Sequence, residues 1–150
     1  MSLPFVSDAV LESEVAFLLD KAREAKRLAQ AQYGKNVIDP LSAMFEMAGF
    51  GMCHEAWKTS EQARQAQKTL QNHIGSFHQN ILGAAKNWEN LREGKVADLL
   101  CRKKRIIAEI KNKYNTVSGG RLSNLYRELD EMIGPKSSIY KDYTAYFVTI

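Results

Sequence analysis

The chain has 150 residues and a mass of 17.0 kDa, the size of one ordinary domain. With 45% hydrophobic residues, 25% charged residues and two cysteines, its composition excludes a disordered, collagen-like or disulfide-stapled protein. The formal net charge of +4 is unevenly spread, because residues 95–127 carry nine basic and two acidic side chains. This local excess predicts a surface that faces a polyanion, although a well-solvated hairpin would show the same composition.

No stretch of the sequence has the pattern of a membrane span or an export signal. The longest apolar run, Val15–Leu19, has five residues, whereas a membrane-spanning helix needs about twenty. Acidic residues stand near the N-terminus, where a signal peptide carries basic ones. We therefore expect a cytoplasmic protein without a membrane partner.

The chain begins with two predicted helices. Apolar residues recur at spacings of four and three from Leu11 to Ala29, which predicts a first helix that Gly34 terminates. Asp39 and Pro40 then have the types expected at the N-cap and the first position of a short second helix.

A third, longer helix follows the second. Gly49 and Gly51 are expected to interrupt the second helix. Thr59 and Gln62 have the spacing of a capping box, and helical periodicity continues after them. The third helix is therefore predicted over residues 59–82.

A β-hairpin is predicted where the periodicity changes from helical to alternating. Residues 96–101 and 105–111 are compatible with strands and flank a charged four-residue turn. If the hairpin is symmetric about that turn, paired residue numbers sum to 207, and Asp98 lies opposite Glu109. Because side chains alternate along a strand, Lys111 shares the face of Glu109.

Two opposed carboxylates beside a lysine can form, together with a bound metal ion, a site that hydrolyses phosphodiesters. Like charges at cross-strand positions are destabilising unless a cation compensates them, and two hard oxygen ligands suit Mg²⁺. Lys111 can position or help deprotonate the attacking water and stabilise charge on the phosphate. The alternative is a surface hairpin with an ordinary ion pair of Lys111, worth about 0–1 kcal/mol. A register slip of one residue would also move one carboxylate to the opposite face.

A helix and a strand are predicted after the hairpin. Apolar residues recur at helical spacing from Leu122 to Ile133, and Gly134 with Pro135 ends the helix. Residues 143–150 are rich in β-branched and aromatic side chains, which predicts a final strand. Because a domain rarely stops at such a strand, we expect a chain truncated at its C-terminus. The succession as a whole indicates an α/β fold.

The residues of the hairpin resemble the motif of PD-(D/E)xK nucleases. Ten residues separate Asp98 from the triplet Glu109-Ile110-Lys111, and Ala97 occupies a position that is commonly proline in this superfamily. More narrowly, most of residues 36–133 is similar to type II restriction endonucleases that cut GGNCC-type sites. The segments that carry this similarity are Asn36–Pro40, Gln65–Gln67, Gln71–Gln79 and Ile107–Thr116.

The resemblance implies a fold and a site. The fold is a single nuclease domain with a PD-(D/E)xK restriction-endonuclease-like core, an αβββαβ mixed sheet flanked by helices. An extra N-terminal helical region would take about residues 1–58, and the catalytic core about residues 59–150. The implied catalytic residues are Asp98, Glu109 and Lys111. The implied metal ligands are Asp98, Glu109 and the backbone carbonyl of Ile110.

The resemblance also implies an activity and its partners. These are Mg²⁺-dependent cleavage of double-stranded DNA at a short palindromic site, a homodimer, and a cognate DNA methyltransferase in a restriction-modification system. Two alternatives stay open. One is a repair nuclease of the same fold that recognises DNA structure, and the other is a DNA-binding module without catalysis.

Several polar residues around the hairpin are candidate DNA contacts. Many such nucleases carry a glutamate on the preceding helix, but residues 74–79 contain no acid, so His78 or Gln79 would orient a water or contact phosphate. A structural role is the alternative for His78. Arg121 is a candidate for reading guanine in the major groove. The loop leading into the next helix is suited to phosphate binding, and its candidates are Lys113, Asn115 and Thr116.

Overall fold

The computed structural model describes residues 3–35, 37–92, 97–112 and 119–150. These residues belong to two compact units. One unit is Ala16–His73, which contains helices and, in its described residues, no strand. The other unit joins the residues up to Val15 with Ile74–Ile150 and contains the sheet. The boundaries between the units fall inside two long helices.

The first helix, α1, spans Asp8–Ala31, and its buried residues Ala25 and Ala29 belong to the predicted apolar stripe. The prediction that Gly34 caps this helix is wrong. The helix ends three residues earlier, and Tyr33–Lys35 form a short 3₁₀ turn in which Gly34 does not take a positive φ. The N–H of Gln32 donates to the carbonyl of Leu28 at 2.8 Å and that of Lys35 to the carbonyl of Gln32 at 2.9 Å, so the chain leaves the helix through a tighter turn.

The second helix, α2, spans Pro40–Phe50 and begins as predicted. Asp39 is extended at the N-cap, and its carboxylate accepts the N–H of Leu41 at 3.0 Å. Gly49 does not interrupt the helix, which continues to Phe50. Gly51 then takes the left-handed conformation at φ 63°, and its N–H donates to a carbonyl of the last turn.

The third helix, α3, spans His54–Gly83 and begins five residues before its predicted start. The capping-box prediction is wrong, because Thr59 lies inside the helix and its hydroxyl donates to the carbonyl of Glu55 at 2.9 Å. At the other end, a Cβ on Gly83 would lie 2.8 Å from the Cβ of Asn90. Glycine therefore allows the end of α3 to approach the first strand closely.

A four-stranded mixed sheet has the strand order β1-β2-β3-β4. The strands β1 (Glu89–Asn90), β2 (Leu99–Cys101) and β3 (Ile106–Lys111) are antiparallel in succession, and β4 (Thr144–Thr149) is parallel to β3. The helix α4 (Gly119–Ile133) makes the crossover from β3 to β4. The hairpin register is confirmed, because every Cα pair of β2 and β3 sums to 207.

Both faces of the sheet are covered. Leu100 and Ile107, neither of which is exposed to solvent, pack beneath α4 on one face. Ala108 and Ile110 belong to a second cluster on the opposite face, so the predicted alternation along β3 is confirmed. Glu109 follows Ile107 on the α4 face and is buried with it. The burial of both faces places this carboxylate in surroundings of low dielectric constant.

The element order from α3 to β4 is αβββαβ, as predicted. The fold class is therefore α/β, with a four-stranded mixed sheet and flanking helices. The position of β1 was not predicted, because two residues are too few to show an alternating pattern. In the described part of the chain, no helix is long and apolar enough to cross a membrane.

Candidate active site

The hairpin brings two carboxylates together at one end of the sheet. Asp98 directly precedes β2, and its side chain interacts with that of Glu109 on β3. The Oδ2 atom of Asp98 accepts the N–H of Ile110 at 2.7 Å. The N–H of Asp98 donates to the carbonyl of Ala108 at 3.0 Å. Asp98 is thus held against β3 by its side chain and by its backbone.

Glu109 is 7% exposed and is the one buried charged residue among those the structure describes. The Nζ atom of Lys111 forms an ion pair with Oε1 of Glu109. The pKa of Glu109 is raised to about 7, chiefly because burial disfavours the charged carboxylate; Lys111 opposes this effect and the nearby Asp98 adds to it. Such a carboxylate is readily stabilised in its charged form by a cation.

The backbone of β3 adds a third oxygen to this end of the sheet. The N–H and C=O of one strand residue point to the same edge, so the carbonyl of Ile110 lies on the edge of β3 toward β2, as its N–H does. Two carboxylates and one carbonyl are hard oxygen donors, which fit Mg²⁺. No three His, Cys, Asp or Glu side chains converge on a metal position in the described ranges.

A further contact joins the end of β3 to α3. The Nδ1 atom of His78 lies 3.0 Å from Oδ1 of Asn112, the residue after Lys111. A Cβ on Gly75 would lie 3.3 Å from Nδ2 of Asn112, so glycine leaves room for this amide. Because an amide oxygen only accepts hydrogen bonds, Nδ1 of His78 is the donor in this contact. Gly75 and His78 share the predicted helix face, whereas Asn112 carries no sequence signal apart from its place after the Glu-x-Lys triplet.

The other predicted DNA contacts lie at separate places. Gln79 lines a cavity of about 580 Å³ together with Glu14 and Asn80. The amide of Asn80 donates to the Glu14 carboxylate at 2.9 Å. Arg121 is exposed in the first turn of α4. The three loop candidates fall outside the described residues: Lys113, Asn115 and Thr116.

The sequence is similar to that of known restriction enzymes. The profile of a family described as Eco47II restriction endonuclease matches residues 3–150. The chain is 52% identical over 148 residues to the type II restriction enzyme Eco47II of Escherichia coli, covering 99% of this chain and 62% of that enzyme. It is 30% identical over 149 residues to the type II restriction enzyme Sau96I of Staphylococcus aureus, covering 99% of this chain and 56% of that enzyme. No solved structure matches the chain.

Proposed function

This chain belongs to the Eco47II restriction endonuclease family, and we propose that it carries the catalytic site of a type II restriction endonuclease. The proposed reaction is hydrolysis of phosphodiester bonds of double-stranded DNA at a short, specific sequence. The chain spans 62% and 56% of the lengths of the two relatives it matches. The proposal that this chain itself is catalytic is therefore supported by the geometry of its own residues.

The observation that carries the proposal is the meeting of Asp98, Glu109 and Lys111 at one end of the hairpin. A buried carboxylate beside a second carboxylate is costly for stability, and side chains with strongly raised pKa values are concentrated at functional sites. The αβββαβ order around these residues supports the finer assignment to the PD-(D/E)xK nuclease fold. We accordingly assign the three residues as the catalytic residues.

In the proposed mechanism, Asp98, Glu109 and the carbonyl of Ile110 would hold Mg²⁺. When bound, the cation supplies charge neutralisation at the scissile phosphate and activation of the attacking water. Lys111 orients that water through Nζ and stabilises the negative charge that develops on the phosphate. The N–H of Ile110 donates a hydrogen bond to the Asp98 carboxylate and so keeps it in position beside β3.

The remaining candidates are proposed to bind the DNA duplex. They are His78, Gln79, Lys113, Asn115, Thr116 and Arg121. A GGNCC-type palindrome suits a homodimer, because the two-fold symmetry of the protein then mirrors that of the site. Such a nuclease endangers its host's own DNA, so the proposal includes a cognate DNA methyltransferase and a location in the cytoplasm.

The experiment is digestion of unmethylated phage DNA with and without Mg²⁺. Wild-type protein is compared with Glu109→Gln and with Glu131→Gln, which changes an exposed carboxylate on α4 and is the matched control. We expect discrete fragments that require Mg²⁺ and Glu109 but not Glu131. Circular dichroism checks that the Glu109 variant is folded, and end mapping of the fragments gives the cleaved sequence.

The other outcomes separate the alternative functions. Fragments of every length would favour a nuclease that does not read sequence. DNA binding without cleavage by the wild-type protein would favour a binding module. Cleavage by Glu109→Gln at the wild-type rate would remove Glu109 from the catalytic site.

A further inference from the structure

The end of the sheet opposite the carboxylates carries a cluster of positive charge. Arg102–Lys104 form a 3₁₀ turn that joins β2 to β3, and Arg105 follows in the left-handed conformation at φ 53°. All four side chains are exposed. We call Arg102, Lys103, Lys104 and Arg105 the hairpin tip.

The start of β4 brings more charge to the hairpin tip, because β4 is parallel to β3 and begins at the same end. The N–H of Thr144, the first residue of β4, donates to the carbonyl of Arg105 at 2.8 Å. The exposed residues Lys141 and Asp142 precede Thr144 by three and two positions. The Oε2 atom of Glu89 lies 3.4 Å from Nε of Arg102. Both side chains are exposed, so solvent weakens this ion pair. Among the described residues, this end of the sheet therefore carries five exposed cations and two exposed carboxylates.

Apart from Arg102, the cations of the hairpin tip have no carboxylate partner among the described residues. They are Lys103, Lys104 and Arg105. Adjacent like charges repel one another, and a bound polyanion relieves that repulsion. Duplex DNA carries one negative charge for about every 1.7 Å of its length, so a few base pairs can meet all four cations. Arginine and lysine on an exposed turn contact phosphate without reading sequence.

The hairpin tip lies far from the catalytic residues along β3. Glu109 is four residues from Arg105 along the chain, about 13 Å at a rise of roughly 3.3 Å per residue, and Lys111 lies two residues further on. The sheet between the two ends is covered on both faces by apolar side chains. The cations of the hairpin tip therefore form a group separate from Asp98, Glu109 and Lys111.

We propose that the hairpin tip binds the phosphate backbone of a second stretch of DNA duplex, apart from the duplex that holds the scissile phosphate. This inference rests on the proposed function, which brings the chain into contact with DNA. It divides the basic segment 95–127 into a catalytic end and a separate DNA-holding end.

The test compares two double variants. Lys103→Ala with Lys104→Ala removes two charges from the hairpin tip, and Lys26→Ala with Lys35→Ala removes two charges from exposed positions elsewhere as the matched control. Each protein is first saturated, without divalent metal, with a short unlabelled duplex that contains a GGNCC-type site. A labelled duplex of about 30 base pairs without that site is then added, and its anisotropy is followed between about 50 and 200 mM NaCl.

We expect the hairpin-tip variant to bind the labelled duplex at least about tenfold more weakly than wild type at the lowest salt concentration. The slope of log affinity against log salt should fall by about 1.8, since each lost phosphate contact removes about 0.9. The control variant should change binding less than about twofold, and cleavage of the short duplex with Mg²⁺ should stay within about twofold of wild type in both variants.

Three results would overturn the inference. The first is equal binding of the labelled duplex by the two variants. The second is loss of short-duplex cleavage in parallel with binding, which would place the hairpin tip on the scissile duplex. The third is a loss of binding to anionic lipid vesicles while DNA binding is unchanged. Absence of Mg²⁺-dependent cleavage by the wild-type protein would instead refute the proposed function, because the metal-free binding measurement does not depend on catalysis.

Discussion

Strand β3 carries charge at both of its ends, and the two ends differ in how that charge is held. At the carboxylate end, Glu109 is buried, paired with Lys111 and has a pKa raised to about 7. At the hairpin tip, four cations point into solvent, and one of them meets a carboxylate at the surface. Burial strengthens the electrostatic interactions of Glu109 with its neighbours, whereas the exposed charges of the hairpin tip act through a field that salt screens.

The largest effect is expected from Asp98→Asn. Asparagine keeps an oxygen that can accept the N–H of Ile110, but it removes a charged ligand of the proposed Mg²⁺ site. We expect the single-turnover cleavage rate to fall at least about a thousandfold, about 4 kcal/mol of transition-state stabilisation. The control is Asp142→Asn, an exposed carboxylate near the hairpin tip, which should leave the rate unchanged. Similar rates for the two variants would remove the distinction between the ends.

The second effect is a pH dependence of stability. Because the pKa of Glu109 is raised from 4.5 to about 7, the folded state binds its proton more tightly than the unfolded state does. Folding stability from this group is therefore fully present below about pH 4.5, declines as the pH rises through 7, and is level above that range, a loss on the order of 3 kcal/mol.

Urea unfolding of Glu109→Gln, in buffer without divalent metal, measures this loss. The unfolding free energy of the variant should exceed that of wild type at pH 8 by more than it does at pH 5, since glutamine does not titrate. A difference between the two proteins that stays constant from pH 5 to pH 8 would contradict the raised pKa.

A third, smaller effect concerns the backbone that supports the carboxylate end. Gly75→Ala and Gly49→Ala both replace a helical glycine, which by itself stabilises a helix by about 0.5–1 kcal/mol. The new Cβ meets nothing within 4 Å at Gly49, but at Gly75 it lies 3.3 Å from Nδ2 of Asn112. We expect Gly75→Ala to be less stable than Gly49→Ala, relative to wild type, by about 1 kcal/mol in urea unfolding. Equal gains would mean that Asn112 moves away at no cost.

The smallest effect is expected at the hairpin tip itself. Lys103 and Lys104 are exposed and make no ion pair among the described residues, so replacing both with alanine should change the unfolding free energy by less than about 0.5 kcal/mol. Any increase in the unfolding free energy that comes from reduced charge repulsion should disappear in about 1 M NaCl, where charges are screened within about 3 Å. A loss above about 2 kcal/mol would show that these side chains support the fold.

The sequence predicts the hairpin better than it predicts the helix ends. Alternation along β3 and the short charged turn both specify the register, so Asp98 and Glu109 could be placed opposite each other in advance. The capping signals at Gly34 and Thr59 were misleading, because a short local motif competes with the helical tendency of the residues beside it. The role of Asn112 could not be predicted, since its partners lie on α3, more than thirty positions away in the chain.

The sheet topology also implies an order of folding. The Cα partners Cys101 and Ile106 are five positions apart, whereas Ile106 and its parallel partner Thr144 are 38 apart. Closing the longer loop costs more entropy, and hairpins form in about 1–10 μs, so we expect the hairpin to precede the pairing of β3 with β4. A chain that is still folding would therefore bring Asp98 and Glu109 together before its sheet is complete.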